Sequence, residues 1–425
     1  MRNIIRKNDQ PLYYGWVIAV SLAITETVGY GILFYSFSVF LTPMESELGW
    51  SRAQLTGGLS VSLLVGGIAA YPIGVWVDRH GARLLMTLGS ICACICVIAW
   101  SQVTNIWMYY IVWTGIGLGG AAMLYEPAFA VIAVWFGRRR GTALAVVTFA
   151  AGLASTIFIP LSDGLLGAMG WRQSVLILGF VYGAITIPLN ALVIRRGPRN
   201  NAEKAVEFSE AVTSGVRSGG TNLAEAISGR FFWLITLGFG LAIFSSSALR
   251  VHFIPLLTEF GVSASNAAAA TGSIGLMQVT GRIIYGPLDN RLSGTGLAGS
   301  VFAIQAVAII SLLMGPSVLF IGAFVAMFGM SVGARTLARP SIIADVYGVT
   351  HYGRISSVMS IFLTASATLA PVGAGLMYDQ FNSYAPVIWI TLALAVGSVI
   401  VTFVALLEER MLHAGHHRLS QTLQQ

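Results

Sequence analysis

Charged side chains are scarce in this chain: Asp, Glu, Lys and Arg together make up 10% of its 425 residues. A soluble protein carries roughly 25%, so the composition excludes a soluble enzyme with an ordinary solvated surface. Cysteine is rarer still, and its three residues, Cys92, Cys94 and Cys96, fall in one apolar stretch. Their spacing is too tight for a disulfide framework, so we interpret them as packing residues.

Recognisable catalytic motifs are absent as well. The sequence contains no Walker loop for ATP, which leaves ATP-driven transport within this chain unsupported. It also offers no catalytic triad and no metal-ligand motif, so we expect neither an enzyme nor a bound cofactor or metal. The net charge of +7 is explained by basic loops, and we expect no nucleic-acid partner.

Long apolar runs are what the sequence does contain, with 56% hydrophobic residues. A helix needs about 20 mostly apolar residues to cross a bilayer. Twelve runs meet this length, and they lie at 14–41, 55–76, 84–103, 107–136, 141–168, 172–194, 231–257, 266–288, 297–314, 317–346, 354–378 and 384–407. The pattern predicts an all-α protein that crosses a lipid bilayer twelve times.

A polar segment at 195–230, with charged, Gly and Ser residues, divides the predicted spans into two sets of six. The sequence therefore predicts two similar six-helix bundles, at 1–194 and 231–408, with a cytoplasmic linker between them and a cytoplasmic tail at 409–425. Within the linker, NLAEAISGRFF suits a short interfacial helix, and a plain flexible linker is the alternative.

Basic residues lie mostly on one side of the predicted spans. Of the 24 Lys and Arg residues, only Arg52 and Arg172 fall in loops on the other side, and four arginines lie within spans. Because loops rich in Lys and Arg stay in the cytoplasm, both termini are predicted to be cytoplasmic. The basic start, MRNIIRKNDQ, is interpreted as a tail and not as a cleaved signal peptide.

A few charged side chains fall deep inside predicted spans. The arginines belong to the second half of the chain and are Arg250, Arg282, Arg335 and Arg339. The comparably deep carboxylates, Glu26 and Glu126, belong to the first half. Charges at membrane depth are costly and usually face a cavity. The asymmetry predicts a cavity with a positive wall, suited to an anion.

Arg282 is the strongest candidate for binding that anion. A planar guanidinium matches a carboxylate through two parallel hydrogen bonds. Gln278, one helical turn earlier, shares its helix face and is predicted to bind the substrate or to steady Arg282. A structural ion pair with a neighbouring helix is the alternative for Arg282.

Five further residues are candidates for the substrate site. Arg250 is predicted to line the outer vestibule or the site itself. For Arg335 and Arg339, which share a helix face, a role in gating or ion pairing competes evenly with substrate binding. Tyr30 and Tyr125 are predicted to present hydroxyls to a polar substrate, with helix packing as the alternative.

Proton coupling has three candidates. Glu126 lies mid-span, and an unpaired carboxyl group at that depth can take up and release protons. It could equally be the permanent counter-ion of one arginine. The same two interpretations apply to Glu26. His252 could relay protons near neutral pH, with a role as an interface residue as the alternative.

A motif after the second predicted span resembles the major facilitator superfamily. Residues 74–83 read GVWVDRHGAR, similar to the loop motif G-x-x-x-D-R-x-G-x-R of that family, and 286–291 repeat it weakly as GPLDNR. The resemblance implies two six-helix bundles around a central cavity. It also implies gating by a charged cluster at one face, here Asp78, Arg79, Arg83, Asp289 and Arg291. The alternative is that these charges only orient the loop.

Finer features resemble the monocarboxylate porter and oxalate:formate exchanger branch of that family, in a bacterial-type member. They are YYGW at 13–16, WFGRRRG at 135–141, GWR at 170–172 and VHFIP at 251–255. Arg282 stands where that branch has a carboxylate-binding arginine. The resemblance implies transport of a small carboxylate across a bacterial inner membrane.

Some positions depart from the family patterns. Animal members have an acidic residue where this chain has Gln278, and oxalate exchangers carry a lysine in the eleventh span that this chain lacks. Drug:proton antiporters carry an arginine before the glycines of the fourth span, where this chain has Trp113, so a multidrug antiporter is disfavoured. We therefore expect proton symport of a small organic anion, a monocarboxylate, with anion exchange as the runner-up and a non-transporting membrane sensor as a more distant alternative.

Overall fold

The computed structural model describes residues 14–136, 139–195, 222–286, 293–347 and 352–422, and these residues are helical with no strand among them. Ten helical segments within those ranges are long and apolar enough to cross a membrane; counting the two arms of Arg140–Val193 separately and adding the helix Ala264–Tyr285 gives twelve spans. The spans are span 1 (Tyr14–Leu48), span 2 (Arg52–His80), span 3 (Ala82–Trp100), span 4 (Ile106–Trp135), span 5 (140–169), span 6 (171–193), span 7 (Arg230–Glu259), span 8 (Ala264–Tyr285), span 9 (Gly294–Leu313), span 10 (Val318–Tyr347), span 11 (Tyr352–Phe381) and span 12 (Ala385–Thr422). The predicted all-α membrane fold is confirmed.

Spans 5 and 6 appear as one apolar helical segment, Arg140–Val193, of 54 residues. A straight helix of that length would measure about 80 Å, well over twice the roughly 30 Å of a hydrocarbon core. The chain reverses at Gly170, whose φ of 76° and ψ of 168° are non-helical. Glycine adopts this left-handed backbone without a steric penalty, so one segment supplies two spans.

Three spans of the first half are irregular near their middle. Span 1 contains a π-helical turn at Gly31–Tyr35, where a side chain in place of Gly31 would collide with the ring of Phe158. Span 4 breaks at Leu124 and span 5 at Leu153. Irregular backbone at membrane depth is tolerated where it lines a cavity or is covered by protein. These breaks therefore indicate a cavity or a protein-covered region near the middle of the first half.

The two halves of the chain meet along spans 2 and 11 and along spans 5 and 8. We call the end of the bundle that carries residues 14, 193 and 230 the terminal face. The opposite end, with the turns at 49–51 and 382–384, is the far face. A short helix, Leu223–Ser228, begins at the capping side chain of Asn222 and leads into span 7. A short helix was one of the two predictions for this segment.

Some predicted features fall outside the described residues. These are most of the linker, the gating candidates Asp289 and Arg291, and the side chain of Asp78.

Spans 8 and 10 pack backbone against backbone. A methyl group on Gly333 would collide with the main-chain oxygen of Gln278, and one on Gly281 would collide with that of Met330. Small residues allow this close approach between membrane helices. The contact fixes the depth of Gln278, one of the predicted substrate ligands.

The Gly333→Ala substitution should lower the stability of the folded protein by about 1–3 kcal/mol, because the added methyl group has no room. Gly322→Ala, in the same span, is the matched control, since no atom lies within 4 Å of the added carbon. Thermal unfolding of the two variants in detergent checks the expectation. Equal unfolding temperatures would show that spans 8 and 10 are not packed this closely.

Candidate substrate cavity

A cavity of about 450 Å³ lies between the two halves of the chain. Spans 1, 2, 4 and 5 supply one side, and spans 7, 8 and 11 supply the other. Its wall consists of Tyr30, Phe34, Tyr35, Phe37, Ser38, Leu59, Ser62, Leu63, Gly66, Gly67, Ala70, Gly117, Gly120, Ala121, Leu124, Tyr125, Glu126, Ser155, Ile159, Ser247, Arg250, Val251, Thr271, Ile274, Gln278, Thr364, Ala367 and Pro371. The irregular turns of spans 1 and 4 both line this cavity, where irregular backbone is tolerated.

Five of the residues singled out from the sequence share this wall: Tyr30, Tyr125, Glu126, Arg250 and Gln278. The carboxylate comes from the first half of the chain and the guanidinium from the second. Glu126 is exposed, so its carboxyl group is accessible to solvent. The structure therefore brings one carboxyl group and one guanidinium to the same cavity.

Four side chains of the wall have a buried donor atom with no hydrogen-bond partner among the described residues. These atoms are the Nε of half-buried Arg250, the Nε2 of buried Gln278 and the hydroxyls of Ser62 and Ser155. Buried polar groups are nearly always hydrogen-bonded to protein or water. Unpaired donors that line a cavity are thus suited to a bound acceptor.

Glu26 lies behind the aromatic wall and not on it. Its side chain is fully buried, and neither carboxyl oxygen has a hydrogen-bond partner among the described residues. Tyr30 and Tyr125, whose ring centroids are 4.8 Å apart, both interact electrostatically with Glu26. The tyrosine pair therefore lies beside both Glu26 and the cavity.

Arg282 lies between spans 5 and 8, and it is not among the residues that form the cavity wall. Its Nη1 donates to the main-chain oxygen of Thr148 at 2.6 Å, while its Nε has no partner among the described residues. Its positive charge interacts electrostatically with the Tyr125 hydroxyl group. The residue favoured by the sequence as the anion anchor is therefore next to the cavity and engaged with the other half of the chain.

The other two arginines lie within the second half. Buried Arg335 donates to the hydroxyl of Ser246 at 2.9 Å and to the main-chain oxygen of Ala242 at 3.2 Å. Arg339 donates to hydroxyl groups of Ser356 and Ser360 on span 11. Neither arginine is on the cavity wall.

A set of contacts that the sequence did not predict joins the halves at the far face. Asp379 at the end of span 11 accepts hydrogen bonds from the main-chain N–H groups of Arg52 and Ala53, both at 3.0 Å. Unpaired N–H groups and the helix dipole make the start of a helix favourable for a carboxylate. We call the set Arg52, Asp379, Tyr384 and His252 the outer latch.

The side chain of Arg52 continues this latch. Its Nη1 donates to the hydroxyl of Tyr384 at 2.7 Å, its Nε pairs with Glu45 at 2.8 Å, and its guanidinium lies 3.5 Å from the ring centre of Tyr378. A cation over an aromatic face is attracted by the ring. Arg52 thus binds residues of both halves at once.

His252 completes the latch in a fully buried position. Its Nε2 is 2.9 Å from the main-chain oxygen of Pro371, and its Nδ1 is 2.8 Å from the hydroxyl of Tyr384. The carbonyl can only accept, so Nε2 donates, and a neutral ring then accepts the Tyr384 hydroxyl at Nδ1. Both ring nitrogens are therefore hydrogen-bonded, which holds this proton-coupling candidate at the far face. Its partner Pro371 also lines the cavity.

Comparison with known proteins decides the family. The sequence profile of the Major Facilitator Superfamily matches residues 26–334. The chain belongs to this superfamily. The major facilitator fold of two six-helix bundles, predicted from the sequence, is therefore confirmed, and the chain is an integral membrane protein of a transporter family and not an enzyme.

Relatives within the superfamily span nearly the whole chain. An uncharacterized MFS-type transporter, YcxA of Bacillus subtilis (strain 168), is 23% identical over 396 residues, which cover 90% of this chain and 93% of the relative. Monocarboxylate transporter 12 of Rattus norvegicus is 22% identical and covers 87% of this chain and 81% of its own length. The oxalate:formate antiporter of Oxalobacter formigenes is 23% identical, with 80% and 79% covered. These relatives are consistent with the predicted monocarboxylate and oxalate branch.

A solved structure shares the major facilitator fold. It is a bacterial homolog of the human lysosomal transporter Spinster, in an inward-facing and unoccupied conformation, with a TM-score of 0.73 and 18% identity. The match covers 95% of this chain and 98% of that structure. At this identity the likeness supports the fold alone.

Sequence reasoning about this major facilitator protein missed the outer latch. One signal was present, because the few charged residues near the far face, among them Glu45, Glu47, Arg52, Arg172 and Asp379, carry both signs. Glu47 pairs with Arg172 at 2.6 Å within the first half, whereas Asp379 and Arg52 meet across the halves. Choosing between such pairings requires the packing of spans 2 and 11, which hydropathy does not supply.

Proposed function

We propose that this protein is a secondary active transporter of a small organic anion, a monocarboxylate, that couples uptake to proton symport by alternating access. The observation that carries the proposal is Arg250, which lines the cavity and has no carboxylate ion-pair partner among the described residues. A guanidinium at membrane depth is costly to leave unpaired, and an intramembrane charge facing a cavity marks a substrate path. A carboxylate supplies the missing acceptors.

The contacts of the anion follow from the wall. Arg250 offers a planar fork that fits the two oxygens of one carboxylate, and Gln278 offers an unpaired amide N–H at the same cavity. Tyr30 and Tyr125 add hydroxyl groups. Arg282, now bonded to Thr148, remains proposed as a second anion contact, and we propose the gating alternative for Arg335 and Arg339.

Glu126 is the proposed proton carrier. When protonated, it leaves the cavity more positive, which favours a bound anion. When the anion has left, an ionised Glu126 balances the charge of Arg250 across the cavity, and the empty carrier can reorient with little net charge. Glu26, buried behind Tyr30, is the second candidate.

Anion exchange is the second candidate function, and one observation favours it. Gln278 replaces the acidic residue that animal monocarboxylate carriers have at this position. A relative named as an oxalate:formate antiporter aligns over 80% of this chain. In an exchanger, the return of the carrier needs a counter-anion in place of an ionised Glu126.

The remaining assignments are proposals of the same kind. We propose that residues 1–194 and 231–408 are the two moving bundles, that the terminal face is cytoplasmic, and that the membrane is a bacterial inner membrane. The motif at 74–83 is proposed to gate the terminal face together with Asp289 and Arg291. Arg79 is exposed, and Arg83 donates from Nε to the main-chain oxygen of Ala191 at 2.7 Å, so the motif reaches span 6.

Flux through proteoliposomes tests the function. With an inward proton gradient, the reconstituted protein should accumulate a labelled monocarboxylate, and a protonophore should abolish the accumulation. Counterflow without a gradient, combined with no response to pH, would establish exchange in place of symport. No carboxylate flux of either kind, with folded protein in the vesicles, would sink the proposal and leave the membrane sensor.

A further inference from the structure

We infer that the anion carried by this protein has a bulky apolar body, of which a phenyl ring is the type, and a single carboxylate. The inference rests on the proposed anion transport and narrows its substrate class. It follows from the size of the cavity, the chemistry of its wall and the distribution of charge on that wall.

The cavity is too large for a two- or three-carbon acid. Its volume is about 450 Å³. Pockets of this size, within the range of about 300–1,000 Å³, enclose ligands with far more atoms than acetate or lactate. A small acid on Arg250 would leave most of the cavity to water and could make few other contacts.

Part of the cavity wall is aromatic. The rings of Tyr30 and Phe34 have centroids 5.9 Å apart, and those of Tyr30 and Tyr125 are 4.8 Å apart, so three rings form one continuous surface. Aromatic pairs gain attraction in offset and edge-to-face arrangements beyond the area that they bury. A flat ring in the substrate extends this surface.

A further part of the cavity wall is aliphatic. Val251 and Ile274 from the second half of the chain, together with Leu59, Leu63 and Ile159 from the first half, line the same cavity. Apolar surface that leaves water on binding stabilises the complex roughly in proportion to its area. The apolar part of the wall therefore favours substrates with an apolar body over acids that are polar throughout.

Charge limits the substrate to one carboxylate. Among the described wall residues, Arg250 is the only cation and Glu126 the only carboxylate. Apart from Arg282, which lies beside the wall and is bonded to Thr148, a second carboxylate would find no further cation and would be repelled by Glu126 whenever that residue is ionised. Dicarboxylates are therefore disfavoured, and an acid with an apolar far end is favoured.

Competition by matched acids tests this inference on the full-length protein. Phenylacetate and acetate share a carboxymethyl group and differ in the ring, while 1,4-phenylenediacetate adds a second carboxylate and phenylacetamide removes the charge. We expect unlabelled phenylacetate to inhibit counterflow of labelled phenylacetate at a concentration at least 10-fold lower than acetate, with the diacid and the amide both weaker than phenylacetate.

A variant pair locates the preference in this cavity. Ala367→Leu on span 11 adds bulk to the wall and should lower the phenylacetate-to-acetate preference about 10-fold. Ala365→Leu, two residues earlier, is exposed and is not part of the wall, so the preference should not change. Both variants are compared as a ratio of two ligands on the same protein, which removes differences in the amount of folded carrier.

The outcomes separate the inference from the function on which it rests. Acetate or lactate binding as tightly as phenylacetate, an unchanged preference in Ala367→Leu, or a preference for the diacid would overturn the inference and leave carboxylate transport standing. Failure of every carboxylate to bind or to be transported would overturn the proposed function itself.

Discussion

Replacing Arg250 by lysine should reduce carboxylate uptake by about 10- to 100-fold while the protein remains folded. Lysine keeps the positive charge but loses the planar fork that holds both carboxylate oxygens. A hydrogen bond to a charged group contributes about 1.5–3 kcal/mol, which corresponds to this range because about 1.4 kcal/mol is a factor of ten. Counterflow and a thermal-shift titration with the same acid measure transport and binding separately.

The same substitution at Arg282 discriminates between the two anchors. Its described partner is the main-chain oxygen of Thr148, to which a lysine can also donate, so the structure favours a smaller loss in Arg282→Lys than in Arg250→Lys. The sequence favours the reverse order. Arg140→Lys, at an exposed position of the terminal face, serves as the control. Near-normal binding in Arg250→Lys, with severe loss in Arg282→Lys, would move the anchor to Arg282.

Glu126→Gln should abolish uptake driven by a pH gradient and preserve counterflow. Glutamine imitates the protonated acid, so the carrier still binds the anion, but the empty cavity keeps the uncompensated charge of Arg250 and cannot reorient readily. Exchange avoids that empty state, because each reorientation carries an anion. Glu225→Gln, on the short helix before span 7 and exposed, is the control for loss of a carboxylate in general.

Parallel measurements on Glu26→Gln decide between the two carboxylates. Glu26 is fully buried, so a proton must pass the Tyr30–Tyr125 pair to reach it from the cavity. Retention of full pH-driven uptake by Glu126→Gln, with loss in Glu26→Gln, would transfer the coupling role to Glu26. A wild-type protein without any response to a pH gradient would contradict symport and favour exchange.

The fold was predictable because the thickness of a bilayer sets the length of each span. The apolar run at 297–314, for example, corresponds to the helix Gly294–Leu313. Span 8 has the weakest apolar signal, with Asn266, Gln278 and Arg282 in the helix Ala264–Tyr285, and it was still recognisable from its small and apolar residues. Helix ends differ by a few residues because polar side chains continue a helix beyond the hydrocarbon region, as Arg52–His80 does on both sides of the predicted 55–76.

The cavity was predictable only in part. Charges at membrane depth marked Glu126 and Arg250, because burial of either in lipid would be too costly. Hydropathy does not give the rotation of each span about its axis, which depends on packing against neighbours. For that reason the contact of Arg282 with Thr148 could not be foreseen. The pairing of Arg52 with Asp379, 327 positions apart in the sequence, could not be foreseen either.

The outer latch has a consequence for how the carrier divides its time between its two orientations. Exposure of the far face to solvent breaks contacts of two kinds. The main-chain N–H groups of Arg52 and Ala53 lose the Asp379 carboxylate, and the buried Arg52 guanidinium loses the Tyr384 hydroxyl, whereas the bond between Tyr384 and His252 lies within the second half and is kept. A hydrogen bond to a charged group contributes about 1.5–3 kcal/mol. Every 1.4 kcal/mol in these cross-half contacts shifts the ratio of the two orientations tenfold, so contacts far from the anion help to set the resting population.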